Sequence, residues 1–307
     1  MLKKLIGFTA TCLFASSITA APMDYHLAPK KIAENTWVFE GAIEDFSMEN
    51  GGNIVNTAFI VTDDSVVLID TGPSLRYGKQ VREAISKITS KPISHVLNTH
   101  HHPDHFLGNQ AFSDTAILAR PATGKEIAQH GNAFSDNMYR MVGDWMRSTE
   151  VVLPNQPLEG DKLTVGGHTF RLMDFTGHTG ADLVIFDEST GVLFASDMIF
   201  YQRALTTPHS PGLQIWIDEL KKIAQLKYKI MVPGHGPVIT DNRAIDQMVG
   251  YLSWMDKTLK ASAEAGLSMN EVQNIALPAE FSDIALVQRE YHRSVVHLYP
   301  IYEEAAF

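Results

Sequence analysis

Cysteine is almost absent from this chain. Its single thiol, Cys12, lies in an apolar run over residues 5–15. If that run is removed, no disulfide, thiolate metal ligand or cysteine nucleophile remains. Long hydrophobic stretches are scarce as well. The run at 5–15 falls short of the about 20 residues that a membrane span needs, and no longer one follows it. Positive charge is also in deficit: 25 Lys and Arg stand against 35 Asp and Glu, a net charge of −10. That balance argues against a nucleic-acid partner, whose phosphate backbone demands a basic surface.

What is present at the N-terminus has the order of a secretory signal. Lys3 and Lys4 precede the apolar run, and Ser16, Ser17, Thr19, Ala20 and Ala21 follow it as a small-residue cleavage zone. Residues 1–20 are therefore expected to be a signal peptide, cut after Ala20 or Ala21, that delivers the chain to the periplasm or beyond. Loss of the two signal lysines takes the net charge from −10 to about −12. Cys12 lacks a convincing lipobox and no Arg pair marks a twin-arginine route, so no stable membrane anchor is expected. With 45% hydrophobic residues, the rest has ample material for a globular core.

Strand-like runs occur at 36–41, 55–61, 66–69, 93–97, 162–165, 168–175, 183–186, 192–195 and 230–232. Helical spacing appears at 75–88, at 121–147 with breaks near Gly131 and Gly143, at 215–226, and from 241 onward with an interruption near Pro278. Hairpins mixed with alternating helices predict an α/β (α+β) fold in which helices cover sheets. Residues 58–72 and 183–197 share one design: apolar strand, acidic turn, apolar strand, then an aspartate, Asp70 or Asp197. Two halves of similar construction are expected.

The strongest chemical signal is Thr99-His100-His101-His102-Pro103-Asp104-His105. On extended backbone, residues i and i+2 point the same way, so His100 and His102 can grip one ion together. Pro103 suits the first position of a helix, which would turn Asp104 and His105 toward a second ion. Three later strand ends carry His178, Asp197 and His235, the two histidines beside Gly177 and Gly234. Imidazole and carboxylate without sulfur suit zinc in a catalytic site.

This ordered set resembles the metallo-β-lactamase superfamily, over about residues 36–240. The resemblance implies a four-layer αβ/βα sandwich with metals at one edge between two sheets. It implies a catalytic domain at 21–245 and a helical C-terminal extension at 246–307. It also implies that His100, His102 and His178 hold one metal, that Asp104, His105 and His235 hold the other, and that Asp197 bridges them. Asp70 matches a buried aspartate that orients the metal loop.

An aspartate bridge is similar to glyoxalase II-like and lactonase-like members, more than to β-lactamases with cysteine or serine there. The signal, the HHHPDH form and the helical extension resemble secreted members associated with sulfur oxidation and quinoprotein systems. The resemblance implies two zinc ions, with iron and manganese left open by the ligands, and a small acyl substrate. A metal-bound hydroxide would attack a thioester, lactone or other activated acyl carbon, while Asp104 orients it and handles its proton. Tyr201 would reach the substrate oxyanion as a tyrosine does in related lactonases; packing is the competing role. An iron-dependent persulfide dioxygenase, a β-lactam hydrolase and a non-catalytic metal-binding module share parts of the pattern. His101 is expected to face away from the ions, and His209 to be an ordinary loop histidine, with a place at the pocket mouth as the alternative.

Overall fold

The computed structural model describes residues 23–306, and the expected signal segment lies outside them. The first sheet has seven strands side by side in chain order: β1 (Lys30–Ala33), β2 (Thr36–Phe39), β3 (Thr57–Val61), β4 (Val66–Ile69), β5 (Ile93–Asn98), β6 (Ala116–Ala119) and β7 (Gln156–Pro157). Pairing is antiparallel from β1 to β4 and parallel from β4 to β7. The second sheet comprises β8 (Lys162–Val165), β9 (His168–Phe175), β10 (Asp182–Asp187), β11 (Val192–Phe200) and β12 (Ile230–His235). They lie in the order β12-β11-β10-β9-β8, and β11 and β12 form the one parallel pair of that sheet.

Every residue of β3, β4 and β11 is buried, because both faces of these central strands are covered. Between the sheets, Val38, Ile60, Val67 and Leu97 meet Phe170, Leu172, Ile185 and Phe194. On the outer face of the first sheet, Phe59, Leu68 and Val96 pack against Tyr77, Val81 and Ile85 of α1 (Leu75–Ser86). A short helix α2 (Pro103–Phe106) follows β5, and α3 (Pro121–Val142) follows β6. Outside the second sheet, α4 (Leu213–Ile223), α5 (Arg243–Glu264) and α7 (Val287–Ala306) join strand β11 in one large core, with the short α6 (Met269–Gln273) between α5 and α7. The layers are thus helix, sheet, sheet, helix, and the four-layer expectation holds.

Several expectations need correction. Strand β1 carried no signal because its sequence, KKIA, is exposed at the sheet edge. Helix α3 runs through Gly131 unbroken; a Cβ there would lie 2.9 Å from Val151 Cγ1, so the small residue admits a neighbour. Strand β11 continues past the expected end at 195 to Phe200, carrying Asp197 within it. The boundary between 245 and 246 falls inside α5, whose buried face shares the core of β11 and α4.

The two-halves reading also shifts by one position. Val66 and Val192 start strands that each pair in parallel with the next strand of the chain, β5 and β12. Counting from those positions, Asp70 corresponds to Ser196, and both adopt left-handed backbone, φ 57° and 47°. Asp197 is one residue further on. Both Asp70 and Ser196 contact the same hydroxyl, Thr99 Oγ1, at 2.8 and 2.7 Å.

Candidate metal centre

The centre forms where β5, β11 and β12 end. Beyond β5 the chain bends at His100 and His101, where extended backbone was expected, and is extended at His102, the residue before α2, whose φ and ψ are −76° and 149°. Pro103 occupies the start of α2 as expected, and Asp104 and His105 fall in its single turn, both buried. His178 sits in the turn between β9 and β10. Asp182 ties that turn down, accepting from Gly177 N at 3.1 Å, Thr179 N at 2.9 Å and Thr179 Oγ1 at 2.6 Å. In β11 the pairing with β12 slips between Phe194 and Ser196. This irregularity, with left-handed Ser196, re-aims the strand just before Asp197. His235 ends β12 after Gly234, where a Cβ would lie 1.9 Å from Asp197 Oδ1. Only glycine permits that approach.

Asp197 is the hub. Its Oδ1 lies 3.1 Å from His105 Nε2, and its Oδ2 lies 3.2 Å from both His178 Nε2 and His235 Nε2 and 3.9 Å from His100 Nε2. Asp104 Oδ2 lies 3.5 Å from His235 Nε2 and 3.9 Å from His105 Nε2. His102 Nδ1 faces His178 Nε2 at 2.7 Å. Two donor groups meet at Asp197: His100, His102, His178 and Asp197, and then Asp104, His105 and His235; a third, of His101, His102 and His209, adjoins them. All seven expected ligands converge.

Backbone and side-chain partners fix the outward-facing nitrogens. His105 Nδ1 donates to Asp70 Oδ2 at 2.8 Å, and His235 Nδ1 donates to Ile54 O at 2.8 Å. Each of these histidines thereby presents Nε2 to Asp197. Among the described residues, the buried Nε2 atoms of His100 and His105 and Asp197 Oδ1 have no hydrogen-bond partner. Burial pushes His100, His102 and His178 below the usual histidine range, His178 to about 3, leaving neutral imidazoles with a lone pair to give. Burial acts to raise Asp197, yet His235, His105 and His178 hold it well below the usual carboxylate range. His105 goes the other way: burial acts to lower it, but the carboxylates of Asp197, Asp70 and Asp104 raise it well above the usual range, and a cation between them would take the place of its proton. With three neutral imidazoles and an ionised carboxylate, the donor set fits divalent cations.

A cavity of about 220 Å³ opens onto the cluster; His102, Asp104, Asp197 and His235 line it together with apolar Phe46, Ile54, Phe134 and Met141. Tyr201 is not among the lining residues. Its ring packs on the core behind β11, its hydroxyl lies beside Arg243, and its backbone N donates to His235 O at 3.0 Å. Tyr201 therefore braces the His235 turn, in the packing role that competed with the oxyanion one.

His209 is more than a loop histidine: it lines the pocket, and its Nδ1 lies 2.6 Å from Nε2 of His102, an expected ligand. His101 packs between Phe134 and His209, away from Asp197. Asp182, Thr99 and Ser196 escaped sequence reading. A carboxylate four residues after His178 was the available hint for Asp182.

With this geometry established, a family model decides the assignment: the metallo-beta-lactamase superfamily matches residues 50–235. The chain belongs to that superfamily. Proteins named as hydrolases are among the relatives that match it. A linear primary-alkylsulfatase from a Pseudomonas species is 21% identical over 290 residues, covering 78% of this chain and 53% of that protein. A hydroxyacylglutathione hydrolase from Rhodospirillum rubrum is 28% identical over 140 residues, 46% of each. The chain thus spans about half the length of these superfamily relatives. Among solved structures, a metallo-beta-lactamase from Pontibacter korlensis superposes with TM-score 0.60 at 19% identity, covering 74% of this chain and 99% of that one. The sec-alkyl sulfatase PisA1 gives TM-score 0.65 at 17% identity, covering 89% and 50%. These likenesses show the fold. Among the described residues, no helix is long and apolar enough to cross a membrane.

Proposed function

We propose that the chain is a secreted two-zinc hydrolase of thioester, lactone or other activated acyl bonds. The observation that supports this reading most is Asp197, whose two carboxylate oxygens lie among imidazoles from three separate segments of the fold. An all-nitrogen-and-oxygen donor set with a bridging carboxylate suits a zinc pair. When bound, such a pair supplies a hydroxide near neutral pH and a Lewis acid for the carbonyl oxygen.

The chain's own residues do the rest. His100, His102 and His178 would hold one ion, Asp104, His105 and His235 the other, and Asp197 both. Asp104 lines the cavity and would take up a proton from the attacking water, then return it to the leaving group. Phe46, Ile54, Phe134 and Met141 exclude bulk water and bind the apolar part of the substrate. Hydrolysis of a sulfuric ester is a second reading, favoured by the two alkylsulfatase relatives, which match 78% and 89% of this chain.

The test is metal analysis of the purified protein together with a panel of thioesters, lactones, β-lactams and alkyl sulfates, each assayed with and without chelator. Two zinc ions per chain and chelator-reversible acyl hydrolysis are expected. One iron per chain with oxygen consumption on a persulfide would replace this reading, and a two-zinc protein inert to the whole panel would end it. Fractionation, with N-terminal sequencing of the exported form, tests secretion and cleavage after Ala20 or Ala21.

A further inference from the structure

We infer that the substrate is an organic anion, and that Arg203, Arg289 and Arg293 hold its carboxylate or sulfate group in the cavity that the metal ligands line. This rests on the hydrolase reading above and adds its substrate class. All three arginines border the same cavity as Asp104, Asp197 and His235. In a chain of net charge −10, a concentration of guanidinium groups at one cavity runs against the overall field.

Their partners leave charge to spare. Arg203 is only 4% exposed, and its guanidinium is fixed by donation from Nε to Glu44 O and from Nη1 to Ala204 O, both at 3.1 Å. Those acceptors are neutral carbonyls: they set the position of the group and do not cancel its charge. Among the described residues no carboxylate lies within 4.0 Å of it. Arg289 is paired, with Asp45 Oδ2 at 2.5 Å. Arg293 has only Glu290 Oε2 at 3.8 Å, beyond hydrogen-bond reach. Glu290 feels the pull of Arg203 but takes no hydrogen bond from it, so no contact ion pair neutralises this nearly buried cation and a ligand's anion would. Guanidinium groups match carboxylate and sulfate oxygens in bidentate geometry.

Arg289 and Arg293 are four residues apart on α7, hence on one face of that helix. Arg203 follows β11, the strand that carries Asp197. The C-terminal helix thus supplies substrate recognition to a centre built by the two sheets. The apolar wall of Phe46, Phe134 and Met141 suits a hydrocarbon body between the charged group and the bond cleaved.

The experiment uses the zinc-loaded full chain and hydroxamates of graded length, whose metal-binding head is constant while the tail ends in carboxylate, sulfonate or neutral amide. Calorimetry reads the affinity of each. The charged tails are expected to bind about tenfold more tightly than the amide at the best length, as one charge-assisted contact provides. Arg289→Met/Arg293→Met, both half or more exposed and safe for folding, should erase most of that preference while leaving amide affinity unchanged. Arg203→Met should do the same if its melting temperature is retained. A preference confined to carboxylate or to sulfonate identifies the group carried. Equal binding of charged and neutral tails at every length, or a preference that survives the double substitution, overturns the inference and leaves the metal centre standing. If no hydroxamate binds at all, the metal-centre reading falls and this inference falls with it.

Discussion

Replacing Asp70 by asparagine isolates one feature of the centre, the direction in which His105 points its lone pair. Asp70 is 2% exposed and His105 is fully buried. Asp70 Oδ1 accepts from Thr99 N at 2.9 Å, while Oδ2 accepts from Thr99 Oγ1 and His105 Nδ1, both at 2.8 Å. Asparagine tolerates the left-handed backbone at φ 57°, so the substitution adds little strain. Its amide oxygen can keep the Thr99 N bond. Its NH₂ then meets His105 Nδ1 donor against donor. The conflict is relieved when the His105 proton moves to Nε2, the nitrogen that lies 3.1 Å from Asp197 Oδ1. A protonated Nε2 cannot ligate. Loss of such an orienting partner costs about 10–100-fold in metal affinity, about 1.4–2.7 kcal/mol. The loss should fall on the ion held by Asp104, His105 and His235 and spare the one held by His100, His102 and His178. Dialysis of Asp70→Asn against a series of zinc buffers, with zinc per chain read by mass spectrometry, should show one tight and one weakened equivalent. Two equivalents of unchanged affinity would refute the orienting role. Equal loss of both from a folded variant would refute the two-group description of the ligands.

Three further substitutions probe other parts of the fold. Gly234→Ala places a methyl 1.9 Å from Asp197 Oδ1, so the bridging carboxylate must move; zinc stoichiometry should fall and activity should drop at least about a hundredfold. Asp182→Ala removes three hydrogen bonds from the His178 turn and leaves buried donors unmet, which should cost about 2–4 kcal/mol in denaturant melts and weaken zinc binding, whereas unchanged stability would show the turn to be held elsewhere. Glu290 is nearly buried, neither oxygen accepts a hydrogen bond, and burial raises its pKa above the ordinary 4.5 against the opposing pull of Arg203 and Arg293. Because the native chain then binds that proton more firmly than the unfolded chain, stability falls as pH climbs from about 4.5 through the raised value. Glu290→Gln, neutral throughout, should match the wild type near pH 4.5 and melt roughly 2 °C or more higher at pH 8, and a difference independent of pH would contradict this.

The chemistry of the centre was legible from local spacing. His100 and His102 two apart in sequence, Pro103 opening a helix, and Asp104 and His105 in its first turn are relations within seven residues. The apolar runs of β3 and β4 were legible as strands. Neighbouring residues set these features, so the order of side chains alone determined them. Convergence is another matter. That Asp70 and Ser196 occupy equivalent left-handed positions and meet at Thr99 depends on the parallel pairing of β4 with β5 and β11 with β12. The placement of Tyr201 behind the centre, of His209 against His102, and of Arg289 and Arg293 on the cavity that Asp104 lines depends on packing across chain separations that carry no periodic signal. Ligand identity is a property of each residue and its immediate neighbours. What surrounds the ligands is decided by which apolar faces bury one another, and the tertiary structure alone determines that.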